Sequence, residues 1–169
     1  MSRLFTCIAV AMLITCSAGH AWELPEFMIA TWGGPDVDND DTRAEGLVRA
    51  GLNTAMWKVG QLDTARRHGL RALVEGASLE DAAKLKNDPV VWGYHLTDEP
   101  ETNLFPGLAL QVENLRRADS NHPSYINLFA RAGDHIEAFI DIVKPDFLSY
   151  DFYQWWYGEY QAWWEGGDG

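Results

Sequence analysis

Pro89-Val90-Val91-Trp92-Gly93-Tyr94-His95-Leu96-Thr97-Asp98-Glu99-Pro100 is an apolar run that ends in two carboxylates and a proline. Val90, Val91, Trp92 and Tyr94 suit a buried strand, because β-branched and aromatic side chains pack well on a pleated surface, and the two prolines bracket the run as stops. A strand that delivers Asp98 and Glu99 at its C-terminal end is a candidate catalytic strand. In sheets of parallel strands the carboxyl ends are where ligands bind and chemistry is placed.

Working outward, the rest of the chain alternates in the same way. Before this run come a strand at 27–32 closed by Gly33-Gly34-Pro35, a helix at 42–50 ended by Gly51, a strand at 52–58, a helix at 61–68 closed by Gly69, a strand at 70–75 and a helix at 79–86. After it come a helix at 108–117, a strand at 124–129, a helix at 135–143 ended by Lys144-Pro145, and a strand at 146–153. Strict alternation with short loops implies a parallel sheet, since each parallel neighbour requires a crossover. Six such units without reversal predict a (β/α)₈ barrel truncated after about six βα units. Gly33-Gly34-Pro35 lacks the G-x-G-x-x-G spacing and leads into acid, which disfavours a dinucleotide-binding sheet.

The chain has 169 residues, too few for a complete barrel of about 250. Residues 154–169 are too short for two more units, so the reading is of residues 22–169 as the N-terminal portion of a longer barrel domain. Residues 1–21 have the charged start, short apolar centre and small-residue exit of a signal peptide, which places the protein in the periplasm or outside the cell, with no membrane attachment after cleavage. Acylation at Cys16 is the weaker alternative, because Thr15 precedes it. Both cysteines, Cys7 and Cys16, lie in this segment, so the mature chain relies on its core rather than on disulfides. A net charge of −12 argues against nucleic-acid partners, whose affinity rests on clustered Lys and Arg.

Metal spacing is absent from the histidines, and His95 is expected to be a hydrogen-bonded barrel residue. The cluster Asp36 to Asp41 lacks the glycine and the glutamate of a calcium loop. No metal and no cofactor are expected.

With these residues in view, the chain resembles clan A glycoside hydrolases, near the family forty-two β-galactosidases. Thr97-Asp98-Glu99-Pro100 is similar to the end of their fourth strand, where the general acid/base is the Glu of an Asn-Glu-Pro motif. Asp88 to Tyr94, Asn127-Leu128-Phe129 and Asp146 to Tyr153 support it. The resemblance implies that Glu99 is the acid/base of a retaining two-carboxylate mechanism acting on a carbohydrate. Asp98 stands where the clan usually has Asn, so sugar specificity does not transfer. The nucleophile belongs at the end of a seventh strand that these residues do not include, and the 169-residue chain alone is expected to be inactive. The resemblance also implies sugar contacts at strand ends: Asp98, Asn127, Asp151, Tyr153, Trp32 and Trp57, with Trp92 and Tyr94 supplying apolar surroundings to Glu99. Two other readings stand beside it: a barrel that binds carbohydrate without cleaving it, and a barrel hydrolase of different chemistry.

Overall fold

The computed structural model describes residues 26–32, 40–129 and 135–151. The expected signal segment, most of the acidic cluster at 36–41, Tyr153 and the aromatic tail lie outside the described residues.

The elements run α1 (Asp40–Arg49), β1 (Thr54–Lys58), α2 (Leu62–Arg67), β2 (Arg71–Glu75), α3 (Leu79–Leu85), β3 (Val91–Asp98), α4 (Phe105–Ala118), β4 (Ser124–Leu128), α5 (Ile136–Val143) and β5 (Ser149–Tyr150). The five strands pair in parallel in sequence order, β1-β2-β3-β4-β5. A doubly wound sheet would reverse its order at a switch point; this one does not. It is an α/β fold laid out as consecutive wall of a barrel.

The segment expected as a first strand, 27–32, is present beside β1 but touches it in ladder fashion only at Ala30 and Thr54. Asn53 explains the difference. Its side chain accepts from Ile29 N at 2.8 Å and donates to Phe27 O at 2.8 Å, while Ile29 O accepts from Asn53 N at 3.0 Å and Thr54 N at 3.3 Å, so an amide side chain takes two of the segment's backbone groups and backbone pairing is confined to one point.

Alternation of side chains along each strand separates two layers. Ala55, Trp57, Ala72, Val74, Val91 and Tyr94 pack with Ala44, Leu47, Leu62, Ala65, Ala82 and Leu115 of the helices. Met56, Leu73, Trp92 and Tyr125 form a separate inner-face cluster with Met28 and Phe147 and contain no helical residue. Phe147 meets Trp92 edge-on at 5.6 Å and Tyr125 at 5.7 Å. A third cluster, Phe105, Leu108, Val112, Ile126, Leu128, Phe139 and Val143, seats α4 and α5 against β4.

Local signals in the sequence account for the element ends. Gly51 (φ +79°) and Gly69 (φ +69°) close α1 and α2 in the left-handed conformation that glycine enters without penalty. Ser78 and Asp81 cap α3 reciprocally: Asp81 N donates to Ser78 Oγ at 3.1 Å and Ser78 N to Asp81 Oδ2 at 3.0 Å. The Ser78 hydroxyl, donating to Asp81 Oδ2 at 2.6 Å, and then the Ser78 backbone N–H hold the Asp81 carboxyl below the usual carboxylate range.

Gly93 is required for a different reason. A Cβ there would lie 2.8 Å from Pro123 O, the same carbonyl that accepts from Tyr94 N at 2.9 Å. The close approach of β3 to the start of β4 therefore admits no side chain.

At this N-terminal end of the strands the fold is tied by one carboxylate. Asp119, fully buried, accepts from Tyr94 Oη at 2.6 Å, lies 2.7 Å from His122 Nδ1 and takes the backbone N–H of Asn121 at 2.8 Å. Burial, then the hydrogen bond to Asp119 and its charge, push the Tyr94 phenol far above its ordinary value. The phenol therefore stays a donor, joining β3, α4 and β4 through one satisfied network.

Candidate active site

The C-terminal ends of β3, β4 and β5 bring three carboxyl groups together. One oxygen each from Asp98, Glu99 and Asp151 lies within 4.8 Å of the others. Backbone pairing sets this convergence: Glu99 N donates to Asn127 O at 2.8 Å, and Asp151 N donates to Leu128 O at 2.9 Å. Glu99 has φ +44°, a conformation that few non-glycine residues adopt and that costs of order 1–3 kcal/mol when it is held. A register shift in the pairing of β3 with β4 between His95 and Thr97 precedes it, and such irregularities re-aim side chains near functional sites.

Behind the carboxyl groups a polar chain fixes their orientation. Asn127 Nδ2 donates to Asp98 Oδ1 at 3.0 Å, Ser149 Oγ donates to Asn127 Oδ1 at 3.0 Å, and Ser149 Oγ lies 3.0 Å from the Tyr125 hydroxyl. Asn127 is only 2% exposed and commits both ends of its amide to this chain. It positions Asp98.

The Glu99 carboxyl is held above its ordinary value by partial loss of water, then by the negative charge of Asp98, then by a hydrogen bond and charge from Asp151. Each cause acts in the same direction, since desolvation and neighbouring carboxylates both disfavour the ionised form. Glu99 also lines a cavity of about 420 Å³ with Pro100, Phe105, Leu128, Phe129 and Phe139 among its walls. The apolar surroundings thus come from α4, β4 and α5. They do not come from Trp92, which packs in the inner-face cluster, or from Tyr94, which reaches Asp119 at the other end of the strands.

Other expected site residues divide between near and far. Asp151 joins the carboxyl cluster. Trp32 is 50% exposed and stands edge-on to His95 at 5.3 Å on the inner face. Trp57 is a correction: it is 0% exposed in the helix-side core, with the Arg43 guanidinium 4.6 Å above its ring, so it contributes to the wall and does not reach a ligand.

His95 is a second correction. Its Nε2 is buried and has no hydrogen-bond partner among the described residues, whereas a bonded barrel histidine was expected. Its Nδ1 faces Glu75 Oε1 at 3.9 Å. Burial holds the imidazole below its ordinary value, against the opposing pull of Glu75 and Asp98.

Among the described residues, Asp98, Glu99 and Asp151 are also the set that could offer oxygen ligands to a hard divalent cation. No helix among the described residues is long and apolar enough to cross a membrane.

No protein-family model matches the chain, and no curated protein matches it. Solved structures do. The chain is similar to an endo-1,4-β-mannanase from Eisenia fetida, with a TM-score of 0.55 and 11% identity, covering 69% of this chain and 61% of that one. It is similar to β-glucuronidase 2 of Bacteroides uniformis, with a TM-score of 0.52 and 14% identity, covering 78% of this chain and 21% of that one. A β-D-glucuronidase of Dictyoglomus thermophilum gives a TM-score of 0.51 at 17% identity, over 71% of this chain and 26% of that one. The chain therefore spans from about a fifth to three fifths of the length of these neighbours. At such identities the likeness establishes the fold, that of the α/β barrels on which these glycoside hydrolases are built.

Proposed function

We propose that this chain supplies the acid/base half of an exported, barrel-fold glycoside hydrolase, with Glu99 as the proton donor. One observation carries the reading: a glutamate at the C-terminal end of a central parallel strand has an oxygen within 4.8 Å of those of Asp98 and Asp151, and partial desolvation and these two carboxyl groups hold its pKa above the ordinary value. That is the requirement for a group that must arrive protonated at a glycosidic oxygen and later take a proton from water. Similarity to glycosidase folds and the resemblance of Thr97-Asp98-Glu99-Pro100 to the clan A acid/base motif support it.

In the first step Glu99 gives its proton to the leaving oxygen as the bond to the anomeric carbon breaks and a second carboxylate attacks that carbon. In the second, Glu99, now ionised, takes a proton from water as the water displaces that carboxylate. Asp151 does not fit the second role. The two carboxyl groups of a retaining pair stand about 5–5.5 Å apart so that they bracket the anomeric carbon, whereas Asp151 has an oxygen within 4.8 Å of one of Glu99, closer than that spacing, and acts on the Glu99 pKa. Asp151 tunes Glu99, and the nucleophile belongs to a later strand of the whole protein.

The test uses protein expressed from the complete reading frame and a panel of 4-nitrophenyl glycosides. Turnover of at least one member, lost on Glu99→Gln, is the expected result. Absence of turnover across the panel, or turnover that survives the substitution, rejects the assignment.

A further inference from the structure

Asp98 stands where the clan usually has Asn, and a carboxylate at that position imposes a direction on the polar chain behind it. A carboxylate oxygen only accepts, so the Asn127 amide presents Nδ2 to Asp98 Oδ1, 3.0 Å away. Asn127 Oδ1 then faces Ser149 Oγ at 3.0 Å, and because a carbonyl oxygen cannot donate, the Ser149 hydroxyl gives its single hydrogen to Asn127. Ser149 Oγ also lies 3.0 Å from the Tyr125 hydroxyl. With no second hydrogen on Ser149, it is Tyr125 that donates there. Tyr125 is 8% exposed among Trp32, His95 and Phe147. Burial holds its phenol above the ordinary value against the opposing Ser149 contact, so that hydrogen is kept. Every hydrogen of the chain therefore points toward Asp98. An amide at position 98 both donates and accepts, and would admit either direction.

The reverse order requires the proton to sit on Asp98. Asp98 O–H would then donate to a rotated Asn127 amide, Nδ2 to Ser149 Oγ, and Ser149 to Tyr125, whose own hydrogen would lose Ser149 as its acceptor. Asn127 is 2% exposed and bonded at both ends, so it turns only if the whole chain turns with it. We propose that Tyr125, Ser149 and Asn127 are positioning residues that keep Asp98 in the accepting form and so leave the proton of the carboxyl cluster on Glu99. Three carboxyl groups with oxygens within 4.8 Å of one another do not all ionise freely, and one of them holds a proton more tightly than it would alone. Acid catalysis needs that proton on Glu99. Asp151 after β5, His95 of β3 with Glu75 of β2 against it, and Tyr125 of β4 act on the same cluster. They set the surrounding charge, and the direction of the chain decides between Asp98 and Glu99. The inference rests on the glycosidase reading only for the use to which the proton is put.

The experiment reads the ¹³C-labelled Glu99 carboxyl by NMR in protein expressed from the complete reading frame, just above the ordinary glutamate value of 4.5. A chelating buffer keeps cations off the cluster. In wild type Glu99 should show the shift of the protonated acid. Ser149→Ala and Tyr125→Phe should each lower its proton affinity, by at most roughly two- to fourfold, the worth of one charge at this separation in water with and without screening. Ser149→Thr, which keeps the hydroxyl, should restore the wild-type signal. In an Asn127→Leu background Ser149→Ala should change nothing further, because its effect passes through the amide; where Asn127→Leu does not fold, the alanine and threonine pair decides alone. The proposal is overturned if Glu99 is ionised in wild type, if Ser149→Ala leaves its signal unchanged, if Ser149→Thr behaves as the alanine variant does, or if Ser149→Ala acts equally without the amide. The signal needs no turnover, so the two readings fail separately. A Glu99 proton that follows Ser149 in a protein without hydrolysis sinks the glycosidase reading and keeps this one, while Glu99-dependent hydrolysis with an unmoved proton does the reverse.

Discussion

Replacing Glu99 by Gln should make the protein more stable, and the amount follows from the carboxyl cluster. Oxygens of Asp98, Glu99 and Asp151 lie within 4.8 Å of one another. Two unit charges at that distance repel by about 0.9 kcal/mol at the dielectric of water and about four times that at an effective value of 20. Asp98 and Glu99 are exposed, so the lower figure applies, and a Debye length of about 8 Å at physiological salt roughly halves it. With two neighbours relieved, Glu99→Gln should gain about 1 kcal/mol at neutral pH, a rise in Tm of roughly 2–4 °C. The pH dependence has a definite sign. The folded-state pKa of Glu99 is raised above its ordinary 4.5, so the native state holds the proton more tightly than the unfolded chain. Wild-type stability from this group is complete below about pH 4.5 and falls as pH rises through the folded value. The advantage of the glutamine variant should therefore be small at pH 4, grow above it, and shrink with added salt. Thermal or urea unfolding of both proteins from pH 4 to 8 checks this. A glutamine variant that is less stable at pH 7, or whose advantage is the same at every pH, would refute the electrostatic account of the cluster.

Three further outcomes follow from named contacts. Gly93→Ala forces a Cβ to 2.8 Å from Pro123 O and should destabilise by about 1–3 kcal/mol, read as a lower urea midpoint. Tyr94→Phe removes the 2.6 Å donor to buried Asp119 and should cost about 1–3 kcal/mol in the same assay. Asn127→Asp takes from Asp98 its 3.0 Å donor and adds a fourth carboxylate at a position 2% exposed. Chemical denaturation should show a loss of at least about 1–3 kcal/mol, larger at pH 7 than at pH 4.

Much of this arrangement was legible in the sequence because its signals are local. Glycines at helix ends and the β-branched run ending in Asp98 and Glu99 each state their conformation within a few residues. The strand-by-strand order followed from alternation alone. What was not legible depends on which way a side chain faces or on residues far apart in sequence. Parallel strands are buried on both faces, so Ala55-Met56-Trp57-Lys58 gives no parity, and Trp57 was placed in the cleft when it belongs to the helix side. The segment 27–32 has strand composition, yet the side-chain amide of Asn53, more than twenty residues later, takes the hydrogen bonds of Ile29 N and Phe27 O. Tyr94 reads as a possible neighbour of Glu99 on composition, and only its 25-residue reach to Asp119 shows otherwise. Nothing local reveals that His95 Nε2 lacks a partner among the described residues.

The most direct measurement of the central claim is the dependence of Glu99→Ala on leaving group, made on the complete protein with the aryl glycoside it turns over best. If Glu99 is the proton donor, kcat/KM for a phenyl glycoside should fall by about 10²–10⁴. A 2,4-dinitrophenyl glycoside, whose leaving group needs no proton, should lose far less at its glycosylation step, and added azide should restore turnover as glycosyl azide. An equal loss for both leaving groups, with no response to azide, would contradict the assignment of Glu99 as the acid.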